Sequence, residues 1–290
     1  MGISKWIASV LAVIMRFIYD LVGKSYGLTI IIFTFITKII MFPISYKQAK
    51  AMNDMKKIGP LEQEIREKYK GNKEKMAEEL SKMYAEHKIN PMASCLPLIV
   101  QLFVIIAMFY IVKQPLTYIN QMSTDEIKVY MEESMVVGNK TIYKEDYTEN
   151  QIKDQEIKIA KDNGIIDMNF MGINFGDAPS DSLSSKIEDK DKPGKIILLI
   201  PALSLLFAIV QNKLSQRKMT DEQIEQQKTM NLLMPALSAY ISYIMPVALG
   251  IYWLLGSVLQ IFSQMIIDKM IENQSKKEEN NKLLGEGDKK

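Results

Sequence analysis

Residues 229–267 read TMNLLMPALSAYISYIMPVALGIYWLLGSVLQIFSQMII, which is 39 residues without a charged side chain. A helix at a water-exposed surface carries polar or charged residues on its outer face, so this stretch excludes a simple soluble globular protein. As a single helix it would be about 58 Å long, nearly twice the roughly 30 Å hydrocarbon core of a bilayer. Pro246 and Gly250 lie near its middle, where proline interrupts a helix and glycine permits a reversal. We therefore predict two membrane spans, residues 229–245 and 246–267.

Three further stretches have the same character. Residues 89–112 and 196–212 contain no charged residue, and residues 25–46 contain one, Lys38. About 20 helical residues cross a bilayer, and local thinning of the bilayer accommodates the shortest stretch. The overall charged fraction of 24% is thus the mean of apolar spans and highly charged segments between them. The sequence predicts an all-α polytopic membrane protein with five spans, at residues 25–46, 91–113, 195–213, 229–245 and 246–267.

Residues 1–24 differ from these spans. An apolar run from Trp6 to Met15 is followed by Arg16, Asp20 and Lys24 at helical spacing. This pattern fits an amphipathic helix that lies in the membrane interface, or an uncleaved signal-like anchor. We predict the interfacial helix.

The distribution of Lys and Arg between the spans predicts the orientation. Residues 47–88 hold eleven Lys or Arg and residues 212–228 hold four, whereas residues 114–195 hold ten Lys against sixteen Asp or Glu. Short basic segments stay in the cytoplasm, so we expect the N-terminus outside a bacterial cell membrane and the C-terminus inside. The other non-spanning parts are then an external segment at residues 114–194, a cytoplasmic loop at 214–228 and a mixed-charge cytoplasmic tail at 268–290.

Residues 47–90 have the pattern of a cytoplasmic coiled-coil hairpin. Gly71 and Asn72 have the character of a turn and a helix cap, and Pro60 should kink or restart the first helix. The apolar seams by which the two helices would pack are Met55, Ile58, Leu61 and Ile65 in the first helix, and Met76, Leu80, Met83 and His87 in the second. The charged outer faces are either simply solvated or, for some lysines, a docking surface for a cytosolic partner.

Lys38 is a charge placed well inside a predicted span, and the five spans contain no Asp or Glu to pair with it. A lysine at the centre of a span costs about 2.5–3.5 kcal/mol, so we expect it to face a water-filled cavity. The alternative is that its side chain reaches the cytoplasmic interface, about 12 Å away. A lone cation is suited to attracting an acidic or polar segment that passes by. The uncharged side chains available to solvate it are Thr34, Gln101, Gln211, Ser238, Ser242 and Gln260.

Several function classes are excluded or disfavoured by the residues that are scarce. One cysteine, Cys95, and one histidine, His87, rule out a Cys-rich or multi-His metal site, and there is no phosphate-binding motif. We predict no catalytic residues, no metal and no cofactor. A small-molecule transporter remains an alternative, although we detect no inverted repeat. An intramembrane protease would be limited to Ser/Lys chemistry.

The sequence resembles the YidC family of membrane protein insertases in long, ordered motifs. The similarity runs from Gly27 through Lys38 to Ser45 and continues through residues 47–55. It is strongest in residues 90–98 (NPMASCLPL) with Gln101, and it returns in residues 170–176 (FMGINFG) and 246–253 (PVALGIYW). The stretch at about residues 116–167 is unmatched.

The resemblance implies five helices around a hydrophilic groove that is open to the cytoplasm and to lipid, with an external amphipathic helix at residues 1–24. Lys38 stands where relatives usually carry Arg, which keeps the charge but loses the planar fork for carboxylates. Gln211 and Trp253 look like the family's glutamine of the third span and tryptophan of the last. With Thr34 and Gln101 they would form the substrate groove.

The function implied by the resemblance is a membrane protein insertase and chaperone, which is not an enzyme. It would receive nascent membrane proteins in the cytoplasm and transfer them into the bilayer, alone or with the Sec translocon. The implied partners are nascent membrane proteins, the ribosome and the lipid bilayer, with the Sec translocon and the signal recognition particle receptor as further candidates. No specific nucleic-acid recognition is predicted.

Overall fold

The computed structural model describes residues 2–90, 96–137, 140–185, 192–217, 224–225 and 228–287. Cys95 and the beginning of the second predicted span lie outside these residues. Helices account for all the long elements. In chain order the elements are α1 (Ile3–Leu21), α2 (Tyr26–Lys68), α3 (Lys73–Glu86), α4 (Leu96–Lys113), α5 (Pro115–Tyr118), α6 (Thr124–Val129), β1 (Ser134–Val137), β2 (Lys140–Tyr143), α7 (Glu149–Asp154), α8 (Glu156–Asp162), β3 (Asn169–Phe170), β4 (Ile173–Asn174), α9 (Leu199–Gln216), α10 (Lys228–Ile244) and α11 (Val247–Gly287).

Three helical stretches among the described residues are long and apolar enough to cross a membrane. They lie within Tyr26–Lys68, Lys195–Gln216 and Val247–Lys277, and Val100–Lys113 is a shorter apolar helix. The chain is therefore a multi-pass membrane protein, while the number of five spans stays a prediction. The mostly helical chain fits the predicted all-α polytopic membrane fold. The described residues also form two short antiparallel β-hairpins, β1–β2 and β3–β4.

The helix break predicted at Pro246 is confirmed. Helix α10 ends at Ile244, α11 begins at Val247, and the Gly250 N–H donates to the Pro246 carbonyl oxygen at 3.2 Å. Proline fits before the first turn because no intrahelical partner is needed there. Helix α11 then continues to Gly287, so the predicted mixed-charge tail is helical as far as that residue.

The chain divides into two compact units. The first comprises residues 1–37, 100–208 and 234–257, and the second comprises residues 38–99, 209–233 and 258–290. Among the described residues, one apolar core holds the first unit together, and it includes residues of α1, α2, α4, α9, α11 and of the segment between residues 114 and 194. Its largest fully buried apolar side chains include Tyr26, Phe33, Met15, Ile30, Met108, Ile111, Leu116, Ile127, Ile166 and Met168.

Helix α1 is apolar on two faces. One face carries Ala8, Ala12 and Met15, which are buried in the core of the first unit. The opposite stripe repeats every three or four residues and is exposed, as expected for a helix that meets both protein and lipid. This exposed stripe consists of Ile3, Trp6, Val10, Val13, Phe17 and Leu21.

The segment between the apolar helices, residues 114–194, folds into several short elements. Its weak pattern predicted helical spacing at residues 127–135 and 152–159 and an extended stretch at 165–175 with a turn at Gly172; short helices and the β3–β4 hairpin lie in these places. Capping boxes begin two of its helices: Ser123 with Glu126 at α6, and Thr148 with Gln151 at α7. In such a box each side chain bonds the other residue's backbone N–H, which satisfies donors that the helix leaves free. The apolar side chains that the segment buries in the core include Ile127, Met131, Tyr147, Ile152, Ile159, Ile166 and Phe175.

A buried carboxylate joins two parts of this segment. Glu156, at the beginning of α8, accepts hydrogen bonds from the Thr117 backbone N–H at 2.9 Å and from the Thr117 hydroxyl at 2.6 Å. Burial raises the pKa of Glu156, although the hydrogen bonds from Thr117 and Leu116 and the charge of Lys153 act in the opposite direction. Glu156 thus fixes two parts of the segment to each other from a buried position.

The helical hairpin of the second unit is formed by the end of α2 and by α3. The Asn72 side chain accepts a hydrogen bond from the Lys75 backbone N–H at 3.0 Å, so the predicted helix cap is confirmed. Helix α2 runs through Pro60 without restarting. Of the predicted seam residues, Leu61 and His87 are exposed. The seam that forms consists of Ile58, Leu80 and Met83, against which Ile65, Met76, Tyr84 and Ile89 pack.

A second contact within this unit joins α2 to the far part of α11. Ala49 on α2 is buried with Ile267 and Ile271 on α11, and Phe42 and Tyr46 pack against them. The Tyr46 hydroxyl donates to Gln274 Oε1 at 2.9 Å. The beginning of the predicted tail is therefore a packed helix.

Candidate functional site

Lys38 lies on α2, between Phe33 and Phe42, in a stretch that is otherwise uncharged. Its side chain is partly buried. Within the part of the chain that the structure describes, its ammonium group has neither a hydrogen bond nor an ion pair. The expectation that Lys38 faces a water-filled cavity stays a prediction.

Polar side chains within the first unit form a cluster around Tyr252 on α11. The buried Tyr252 hydroxyl forms hydrogen bonds with Gln101 of α4 and Thr37 of α2. The Thr37 hydroxyl donates to the Thr34 carbonyl oxygen at 2.9 Å, and the Thr34 hydroxyl donates to the Ile30 carbonyl oxygen at 2.6 Å. The proton of the Thr34 hydroxyl is therefore committed to its own helix, and only its lone pairs remain available to a cation.

The five predicted site residues do not all belong to this cluster. Gln101 is linked to α2, the helix that carries Thr34, by way of the hydrogen bonds that Tyr252 forms with Gln101 and Thr37. Trp253 is half-buried and follows Tyr252 on α11, so the two neighbouring side chains point in different directions. Lys38 and Gln211 belong to the second unit, where Gln211 is partly buried on α9.

Sequence reasoning missed Thr37 and Tyr252. Neither residue is charged, and hydroxyl residues are common in membrane helices, where they bond to their own backbone or to a neighbouring helix. Their positions in the sequence could have indicated them, because Thr37 directly precedes Lys38 and Tyr252 directly precedes Trp253, both of which are predicted site residues.

Two serines that the sequence suggested as solvating groups for Lys38, Ser238 and Ser242, belong to the first unit. The Ser242 hydroxyl on α10 donates to the Ser204 hydroxyl on α9 at 3.0 Å, and both residues are buried. The Ser238 hydroxyl is buried without a hydrogen-bond partner among the described residues. Near the other end of α9, the Asn212 side-chain amide donates to the Asn231 carbonyl oxygen at 2.5 Å.

The outer surface of the hairpin is charged, and some of its charged side chains pair with one another. Lys82 on α3 contacts Glu78 at 2.8 Å and Glu79 at 2.9 Å, and these hydrogen bonds raise the pKa of Lys82. Arg66 contacts the buried carboxylate of Glu62 at 2.7 Å. Because lysines in such pairs are less available to bind a partner, the number of available lysines is smaller than the number of Lys residues in the hairpin. No group of three His, Cys, Asp or Glu able to hold a metal ion occurs among the described residues.

The family model described as 60Kd inner membrane protein matches residues 17–276. The chain belongs to this family. Its curated relatives carry the name Membrane protein insertase YidC, so the resemblance to the YidC family is confirmed. The match includes α2, α4, α9 and α11, which carry the five predicted site residues.

Curated YidC proteins differ in length, and this chain covers different shares of them. One from Prosthecochloris aestuarii is 27% identical over 259 residues, which is 87% of this chain and 35% of that protein. One from Pelobacter propionicus is 41% identical over 103 residues, covering 36% of this chain and 19% of that protein. One from Fusobacterium nucleatum is 26% identical over 270 residues, 91% of this chain and 98% of that protein. The chain spans about a third of the length of the first of these relatives.

Proposed function

We propose that this chain is a membrane protein insertase and chaperone, which receives nascent membrane proteins on the cytoplasmic side and transfers them into the bilayer. The observation that carries the proposal is Lys38, a cation in an apolar span without a counter-charge among the described residues. Membership of the YidC family and the name of its relatives support the same function.

In the proposed mechanism, a polar or acidic flank of the client enters a hydrophilic groove and is attracted by Lys38. The flank is spared full dehydration in lipid, which costs several kcal/mol for each charged or unpaired polar group. The client's apolar segment then moves into the bilayer, driven by burial of apolar surface. The polar cluster of Gln101, Tyr252 and Thr37 supports the proposal, because it supplies hydrogen-bonding groups at span depth.

The remaining expectations belong to the same proposal. The basic hairpin would face the cytoplasm and meet the ribosome, with the Sec translocon and the signal recognition particle receptor as further partners. The N-terminus would lie outside a bacterial cell membrane and the C-terminus inside. Trp253 and Gln211 would line the groove, as the family resemblance implies.

The decisive experiment replaces Lys38 and measures insertion into liposomes that contain the full chain. The clients are two single-span proteins, one with an acidic translocated tail and one with an uncharged tail. We expect Lys38→Ala to slow insertion of the acidic-tailed client several-fold and to affect the uncharged-tailed client little. Lys38→Arg keeps the charge and should preserve insertion of both.

The matched control is Lys47→Ala, because Lys47 lies nine residues further along α2 and is exposed. It should leave insertion unchanged. Equal insertion of both clients by Lys38→Ala would overturn the role of Lys38. Saturable uptake of a small anion by the same liposomes, lost in Lys38→Ala, would instead favour a transporter.

A further inference from the structure

The β3–β4 hairpin has an apolar side chain at an unusual position. Its two-residue turn consists of Met171 and Gly172, both of which have positive φ angles, 52° and 79°. A turn of this kind favours Asn or Gly at its first position, and a left-handed conformation is unfavourable for a residue with a side chain such as that of Met. Met171 is 87% exposed, the most of any large apolar side chain among the described residues.

The hairpin is held against the first residues of α2. The Tyr26 N–H donates to the Asp167 carbonyl oxygen at 3.3 Å. A Cβ atom added to Gly27 would lie 2.4 Å from Phe170 Cβ, which means that the hairpin and the helix backbone are in direct contact. The ring of Phe170 also packs edge-to-face on Phe175, with centroids 6.0 Å apart.

This contact fixes the depth of Met171 relative to the bilayer. Gly27 is the second residue of α2, so it lies where the apolar span begins. Consecutive Cα atoms are about 3.8 Å apart, and the polar headgroup layer is about 5–8 Å thick on each side. Met171, one residue beyond Phe170, is therefore within reach of the headgroup layer.

The charge pattern suits contact with lipid. Residues 168–176 contain no charged side chain. An aspartate flanks this stretch on each side. Asp177 forms an ion pair with Lys161 at 2.7 Å, and the carboxylate of Asp167 accepts a hydrogen bond from the Asn169 N–H at 3.0 Å. The tip of the hairpin thus presents one flexible apolar side chain between polar asparagines.

We propose that the β3–β4 hairpin is a lipid-contacting anchor, with the Met171 side chain inserted at the boundary between headgroups and acyl chains in the leaflet where α2 begins. Burial in lipid offsets the exposure of Met171 and the unfavourable backbone conformation that presents it. The anchor ties the folded segment of residues 114–194 to the membrane surface. It does not depend on the proposed insertase activity.

The test uses the full chain with Cys95→Ser, reconstituted in liposomes of phosphatidylcholine and phosphatidylglycerol. A nitroxide label is attached to a cysteine at position 171, and its collision rates with oxygen, which partitions into lipid, and with a water-soluble nickel chelate are compared. The control is a label at Tyr143, which is 64% exposed in the other hairpin. We expect the oxygen-to-nickel ratio at position 171 to exceed that at position 143 several-fold.

Equal ratios at the two positions would overturn the proposal. A label at position 171 that neither reagent reaches would also overturn it, because a protein partner would then cover the tip. If Met171→Cys fails to fold, a label at Asn169, which is exposed two residues before the tip, provides the same comparison with a smaller expected difference. Insertion activity is not used as a readout, so this result and that of the Lys38 experiment are separable.

Discussion

The carboxylate of Glu156 is buried and holds both the backbone N–H and the hydroxyl of Thr117, 39 residues earlier in the chain. Thr117 lies in α5, just beyond the apolar helix α4. Since Glu156 begins α8, this interaction fixes the fold of the intervening segment relative to the end of α4. It also places an ionisable group where water cannot solvate it.

We predict that Glu156→Ala destabilises the protein far more than Glu156→Gln. Alanine leaves the Thr117 N–H buried without an acceptor, which costs about 1–3 kcal/mol. Glutamine keeps one acceptor oxygen and nearly the same volume. Thermal unfolding of the purified protein in detergent measures the difference, and equal midpoints for the two variants would show that the Thr117 bonds contribute nothing.

The same pair gives a pH prediction. Because burial raises the pKa of Glu156 above the ordinary 4.5, the folded protein retains this proton to higher pH than the unfolded chain does. The stabilising contribution is complete below pH 4.5 and is lost as pH rises through the raised pKa. Relative to Glu156→Gln, the wild type should therefore lose stability as the pH rises from 4.5 through the raised pKa of Glu156. A constant difference across that range would contradict the prediction.

Gly27→Ala should loosen the contact between α2 and the β3–β4 hairpin. The new methyl group would meet Phe170 Cβ at 2.4 Å, and overpacking of this kind costs about 1–3 kcal/mol. The control is Gly71→Ala, because a Cβ there has no neighbour within 4 Å. Hydrogen exchange of the hairpin amides should accelerate only in Gly27→Ala.

Leu80→Ala and Leu61→Ala should distinguish the buried seam of the hairpin formed by α2 and α3 from its exposed surface. Leu80 is 9% exposed and Leu61 is 43% exposed. Truncating a buried leucine costs about 2–5 kcal/mol, whereas surface changes stay within about 0.5 kcal/mol. Hydrogen exchange in α3 is the measurement. Similar protection in the two variants would mean that the seam does not pack as the structure has it.

The hydrogen bond between Ser204 and Ser242 should contribute little to the free energy of unfolding, although both residues are buried. Polar contacts between membrane helices average about 0.6 kcal/mol. A double-mutant cycle with Ser204→Ala and Ser242→Ala should therefore give a coupling energy of about that size in detergent unfolding. A coupling of zero would mean that the two hydroxyls do not interact.

Local features of the fold were predictable from the sequence, and the distant ones were not. The cap at Asn72 and the break at Pro246 depend on a few neighbouring residues, so residue type alone predicted them. The core of the intervening segment brings Ile127 and Phe175 together with helix α1. Contacts between residues that far apart in the chain leave no short period, so the segment gave only a weak pattern.

The candidate site shows the same division. Lys38 could be singled out from the sequence because a charged residue in an apolar span is evident from the composition of that span alone. Tyr252 was not found, because its role depends on Gln101 and Thr37, which other helices carry. Only the packing of helices shows which uncharged polar residues meet.

The two apolar faces of α1 have a consequence for synthesis. Ala8, Ala12 and Met15 are buried in a core that includes Leu116, Ile127 and Phe175, which the ribosome adds some hundred residues later. At about 5–20 residues per second, that interval lasts roughly 5–20 s. During it the inner face of α1 lacks the part of the core that these later residues form. If α1 lies in the membrane interface as predicted, lipid can cover that face until those residues have been made.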